Sequence, residues 1–135
     1  MPADGKARST REGQRGSSAV EFAILLPILL LVLLALVQVG VLARDALVLT
    51  QASRAGAREA AVQPSTEAVE RAVRNAAPGL AADHLSVSVA WSGTRGAPAT
   101  VSVAYEAPVA SLLAGWLLPA SVRLSASATM RQEFA

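Results

Sequence analysis

Between Glu21 and Arg44 the chain carries no charge. Residues 22–43 read FAILLPILLLVLLALVQVGVLA, and Gln38 is the only strongly polar side chain among them. As an α-helix this run rises about 33 Å, enough to cross a hydrocarbon layer about 30 Å thick. The apolar part of a secretory signal is shorter, about 7–15 residues. The run therefore predicts one membrane-spanning helix. It also limits what is left, because the rest of a 135-residue chain is too short for a large enzyme core. Pro27, near the start of the run, removes one backbone hydrogen bond and is compatible with a kink.

The charge map gives the span a direction. The chain has twelve Lys/Arg and ten Asp/Glu, and four of the bases (Lys6, Arg8, Arg11, Arg15) lie in residues 1–16 with only Asp4 and Glu12. Eight of each sign remain, so the excess basicity belongs to the leader and does not point to nucleic acid. Arg44, Arg54 and Arg58 follow the span. The excess of bases before it favours an N-terminus in the cytoplasm and a C-terminal domain on the far side. Residues 1–16, MPADGKARSTREGQRG, hold almost nothing apolar and read as a disordered basic leader. The absence of cysteine excludes disulfides, thiolate zinc sites and cysteine nucleophiles.

Beyond the span, residues 44–62 (RDALVLTQASRAGAREAAV) are rich in Ala and free of Pro, so the helix is predicted to run on from Ser17 to Val62. Leu47, Ala52, Ala55, Ala60 and Val62 are its apolar or small positions, with Arg54, Arg58 and Glu59 facing water. Pro64-Ser65 interrupts it, and Ser65 is a suitable N-cap for a second, amphipathic helix over 66–77. The period then changes from 3.6 to 2. Residues 84–91, 100–106 and 121–132 alternate apolar and polar, and each predicts a half-buried strand. The apolar connection PVASLLAGWLLP, 108–119, suggests a helical turn. The expected fold class is α+β: a long transmembrane helix, a short helix and a small antiparallel three-stranded sheet. The parts are a leader (1–16), a helix (17–62, span 22–43) and an αβββ periplasmic or extracellular domain (63–135).

The junction Arg15-Gly16-Ser17-Ser18-Ala19-Val20-Glu21-Phe22 is the most informative local sequence. A glycine ends the basic leader, and an acid stands five residues later at the mouth of the apolar helix. A carboxylate costs roughly 2.5–3.5 kcal/mol at mid-bilayer and less near the interface, so a plain anchor has no need of one there. At the interface Glu21 also has a plainer reading, since it complements the positive end of a helix dipole.

The junction resembles the type IV prepilin cleavage site. The longer stretch GSSAVEFAILLPILLLVLLALVQVGVLARDALVLTQASRAGAREAAV, within residues 13–62, resembles the TadE/TadG family, the pseudopilin-like proteins of Tad (Flp) pilus systems. The terminal LSASATMRQEF is similar to that family as well. The resemblance implies cleavage between Gly16 and Ser17 by a prepilin peptidase, with Glu21 and Phe22 opening the mature helix and Glu21 guiding assembly. Pro27 is then either a family feature or a tolerated kink. The resemblance also implies a minor, non-enzymatic pseudopilin of the bacterial inner membrane, whose partners are the peptidase, other pilins or pseudopilins, the Tad secretion machinery and membrane lipid.

Other signals carry less. His84 has no second His or Cys near it in sequence and reads as a surface residue opening a strand. The strand serines belong to no Gly-x-Ser-x-Gly turn. Glu67, Glu70, Arg71 and Arg74 read as a solvated helix face. Trp91, Trp116 and Tyr105 read as core or rim anchors, with Trp116 alternatively a contact for partner subunits. No cofactor, metal, nucleic acid or small-molecule substrate is implied. The competing readings are a signal-anchored periplasmic binding module unrelated to pili, a tethered enzyme lacking a catalytic constellation, and a protein secreted after cleavage near Ala43.

Overall fold

The computed structural model describes residues 9–110 and 119–133. The elements follow in the order α1 (Ser9–Val62), α2 (Thr66–Asn75), a 3-10 turn (Ala82–His84), β1 (Leu85–Trp91), β2 (Pro98–Pro108) and β3 (Ser121–Arg131). The fold is α+β, as the sequence predicts. The three strands form one antiparallel sheet in the order β1-β2-β3. The expected turn over 108–119 and the expected anchor Trp116 fall largely or wholly in residues 111–118, outside the described residues.

Helix α1 begins at Ser9, not at Ser17, so residues 9–16 are helical where a disordered leader is expected. The cause is cooperative. Once a long helix exists, adding residues at its end costs no new nucleus. Arg11, Glu12, Gln14 and Arg15 are all good helix formers, and Gly13 and Gly16 are tolerated between them.

By contacts the chain divides at Val37, with residues up to Val37 in one unit and Gln38 onward in the other. In the first unit Val20, Phe22, Ile24, Leu25, Ile28, Leu29, Leu30, Val32, Leu33, Leu36 and Val37 are all exposed. These positions surround the helix, so it has no polar side to turn to water. Among the described residues this is the one helix long and apolar enough to cross a membrane.

The second unit is a two-layer sandwich of helix on sheet. Its part of α1 buries Gln38, Asp45, Leu49, Ala52, Ser53, Gly56, Ala57 and Ala60, a stripe of helical period. Leu47 and Val62, two of the apolar positions read from the sequence, lie outside that stripe and are exposed at 67% and 57%. From α2 come Ala68, Val69 and Val73, and from the central strand Ala99, Val101, Val103, Tyr105 and Ala107. The inward residues of β1 (Leu85, Val87, Val89, Trp91) and of β3 (Leu124, Ala126, Ala128, Met130) flank them, half-buried. The other sheet face carries Ser86, Ser88, Ser102, Arg123, Ser125, Ser127 and Thr129 and is exposed. Alternation over the three strands thus gives the faces the sequence predicts. Ser65 caps α2 by accepting the Ala68 N–H at 3.3 Å.

The end of α1 is closed by tertiary hydrogen bonds. In a continuing helix the Ala60 carbonyl would accept from residue 64, but that residue is Pro64 and has no N–H. The Trp91 indole donates to Ala60 O instead at 3.1 Å. The Glu133 N–H donates to Ala61 O at 2.8 Å. At the other end of the sheet, Gln38 Nε2 donates to Pro108 O at 3.4 Å, and its Oε1 accepts from the Ala110 N–H at 3.2 Å. The two layers are therefore tied at both ends of β2. Gln38 to Ala60 rises about 33 Å along a helix, and Pro98 to Pro108 spans about 34 Å along a strand.

At Gly56, α1 meets both α2 and β2. A Cβ there would stand 2.6 Å from Val73 Cγ2 and 3.1 Å from Val101 Cγ1. Replacing Gly by Ala in a free helix stabilises by roughly 0.5–1 kcal/mol. Here overpacking, typically 1–3 kcal/mol, outweighs that gain. We expect Gly56→Ala to lower the stability of the folded unit in detergent, measured by urea unfolding. Adding Val73→Ala should return part of the loss to the Gly56→Ala chain, because the two changes share one space.

Candidate functional site

The junction at the head of the apolar helix lies entirely within α1. Gly16, Ser17, Glu21 and Phe22 are all helical and exposed. Helical spacing places Ser17 and Glu21 one turn apart on the same side. Ser17 Oγ donates to Glu21 Oε1 at 3.2 Å. The backbone nitrogen of Ser17, the atom that would become an amine on cleavage of the Gly16–Ser17 bond, therefore belongs to the residue already bonded to the acid. The exposed Phe22 follows directly and opens the uncharged run.

Nothing crowds Gly16: a Cβ on it would meet no atom within 4 Å. Its φ is not positive either, so neither packing nor backbone conformation requires glycine there. Pro27 lies inside α1, which continues through it as one helix. Its missing N–H leaves the Ala23 carbonyl without the usual donor.

Among the described residues no three His, Asp or Glu side chains gather as a metal site would need. His84 is exposed; its Nδ1 lies 3.1 Å from Glu106 O and its Nε2 3.8 Å from Asp83 Oδ2. These are contacts of a surface residue at the mouth of β1. Arg74 and Glu70 pair at 3.5 Å on the exposed side of α2. Such an exposed pair contributes little, on the order of 0–1 kcal/mol.

Gln38 stands out in the sequence, but the sequence alone assigns it no role. Its isolation within an uncharged run is the signal that could have found its role, since a polar side chain in an apolar segment is retained where it has a partner. Asp45 is also buried, with Arg44 Nη1 at 3.2 Å.

The chain carries a TadE-like segment: residues 16–58 match the family described as TadE-like protein. This is the family that the longer stretch from Gly16 resembles, and the match takes in Gly16, Ser17, Glu21, Phe22 and Pro27. No curated protein and no solved structure matches the chain.

The open surroundings of Gly16 allow folding to be separated from recognition. Gly16→Ala should leave the folded unit's urea midpoint unchanged and should strengthen local helix by about 0.5–1 kcal/mol. Circular dichroism in detergent should show helicity equal to or above that of the parent. A loss of helicity on this substitution would mean that Gly16 has a structural duty.

Proposed function

We propose that this chain, TadE-like over residues 16–58, is a minor pseudopilin-like component of a Tad (Flp) pilus or secretion system and acts without catalysing a reaction of its own. In this reading residues 1–16 are a cytoplasmic leader that a prepilin peptidase removes, 17–62 form the mature helix with its span at 22–43, and 63–135 form the far-side domain. The periplasm is where that domain works, and the bacterial inner membrane is where the helix is held.

One observation carries the proposal. Ser17 and Glu21 stand in hydrogen-bond contact at the threshold of a helix that is apolar on every side. Hydrolysis of the Gly16–Ser17 amide adds water, leaving a carboxylate on Gly16 and an ammonium on Ser17. The chain then has a cation and an anion one turn apart, next to hydrocarbon. Each charge alone is costly to bring out of water, and pairing offsets that cost. The Glu21 carboxylate of one helix can meet the Ser17 ammonium of a neighbour, so that lateral packing of processed helices neutralises both. The unprocessed chain has no such cation at position 17 and is held back from assembly. The exposed apolar side chains of 20–37 then serve twice, against lipid before assembly and against other helices after it.

The exposed sheet face and the solvated side of α2 supply surface for protein contacts, with other pilins or pseudopilins and with Tad machinery as the expected partners.

Intact mass of the protein extracted from membranes of its native host tests the processing step. The expected mass is that of a chain starting at Ser17, and both Gly16→Ala and loss of the peptidase should restore the 1–16 leader. Glu21→Gln should still be cleaved yet fail to co-purify with the pilus fraction. If the parent keeps Met1–Gly16 and Glu21→Gln behaves as the parent does, the chain is an anchored module unrelated to pili.

A further inference from the structure

Gln38 belongs to two environments at once. By sequence it lies inside the uncharged run 22–43. In the fold it is 8% exposed and holds both polar groups at the end of the central strand, the Pro108 carbonyl and the Ala110 N–H. The chain returns at the same place, because the Val109 N–H donates to Ala120 O at 3.0 Å. One end of the folded unit is therefore fixed to α1 at a residue that the membrane span already includes.

The depth can be estimated. A hydrocarbon layer about 30 Å thick takes up about 20 helical residues. Counted from Phe22, it reaches residue 42 or so, and Gln38 then lies about 6 Å inside its far edge. Residues tied directly to Gln38 cannot stand in bulk water if the helix crosses the membrane in this register.

The charge distribution of the folded unit agrees. On α1 the first charges after Gln38 are Arg44 and Asp45, about 9 Å along the helix. On the strands the nearest to this end are Glu106 and Arg123, which are paired in register and lie about 7 Å from Pro108. Asp83 and His84 precede Leu85, which pairs with Tyr105 at the same height. Five of these groups are exposed and form a belt, with Arg44 58% exposed at the side chain, while Asp45 is buried beside it. Between the belt and Gln38 the described residues carry no charge. The outward-facing groups there are Val39, Val41, Pro108, Pro119 and Ala120. The opposite end of the sheet bears Arg95 and Arg131.

We propose that this uncharged end of the folded unit, residues 108–110 and 119–120 with Val39 and Val41, is immersed in the lipid interface, with headgroups at the level of Arg44, Glu106 and Arg123. The slab below the belt, about 7–9 Å by helix and strand rise, matches the 5–10 Å over which amphipathic protein surfaces enter the boundary of headgroups and acyl chains. Long cationic side chains such as Arg44 and Arg123 place their charge among phosphates while their stems cover apolar surface. Gln38 fits the same setting. Where water is scarce, unpaired backbone groups at a strand end are costly, and a side-chain amide supplies one donor and one acceptor to satisfy them. That end of the folded unit then lies in the interface rather than in bulk water.

The inference rests on reading 22–43 as a membrane span, and the test separates the two. The chain has no cysteine, so single cysteines can be placed without background. Spin labels at Leu33→Cys, Pro119→Cys, Ala120→Cys and Thr94→Cys are compared in the full chain reconstituted in vesicles of phosphatidylethanolamine and phosphatidylglycerol. Collision with oxygen, which concentrates in lipid, is measured against collision with an aqueous nickel chelate. We expect position 33 deep in hydrocarbon, position 94 in water, and positions 119 and 120 severalfold less accessible to nickel than 94 while open to oxygen. Two neighbouring sites are used so that the result does not depend on one variant folding. Nickel accessibility at 119 and 120 equal to that at 94, with 33 in lipid, overturns the proposal alone. Low accessibility of 119 and 120 to both reagents means cover by protein and also overturns it. A label at 33 that meets nickel freely overturns the span, and the seating with it.

Discussion

The contact between the second half of α1 and the central strand β2 holds the folded unit together. A helix can lie this close to a sheet only if its facing residues are small. Along α1 those residues are Ala52, Ser53, Gly56, Ala57 and Ala60, all buried. They receive the branched side chains of Val69, Val73, Val101 and Val103. Bulk comes from the sheet and from α2, while α1 supplies room. Few aromatic residues are then needed for a core, consistent with the low aromatic content of the chain. The arrangement is also intolerant, because a single added methyl at Gly56 meets two valines.

The ends of this contact add to its register. Packing at Gly56, where a Cβ would meet Val73 and Val101, already limits sliding along the helix axis. The polar ties are specific. Gln38 fixes one end of β2, and the Trp91 indole and the Glu133 amide fix the last carbonyls of α1 at the other. Pro64 has a part in this, since by lacking an N–H it leaves Ala60 O open to Trp91. A proline that reads in sequence only as a helix stop thus helps bring β1 into place.

Much of this was legible from residue patterns, and the reasons differ by element. The span and the three strands follow from strong periodic or uniform apolar signals, and tertiary structure had no cause to override them. The beginning of α1 was not legible, because a polar, Gly-containing leader carries no periodic signal and its helicity depends on being attached to a longer helix. The inward stripe of α1 was not legible from its apolar or small positions, of which Leu47 and Val62 are exposed. Hydrophobicity marks those residues for burial, but in an alanine-rich helix beside a sheet the buried positions are the small ones, and the large apolar side chains are left outside. The junction at Gly16–Glu21 stands out in sequence by its glycine and its acid; in the fold it is an exposed turn of helix in which Ser17 donates to Glu21. Gln38 is the reverse case: its chemistry is plain in the run, but only the fold supplies the partner.

The change of composition along α1 follows from a change of surroundings. Through residues 22–37 the helix is leucine-rich, and residues 22–30 are exposed on every side, which suits a solvent of hydrocarbon chains that fill any shape. From residue 52 to 61 it is alanine-rich, which suits a fixed protein surface that must be approached closely. Residues 38–49 carry features of both: Val39 and Val41 remain outward and apolar while Gln38, Asp45 and Leu49 turn inward and are buried. A helix that merely tethered a separate domain would have a flexible linker here, with Gly, Pro or Ser between anchor and fold. This chain has continuous helix with side chains already engaged in the sheet.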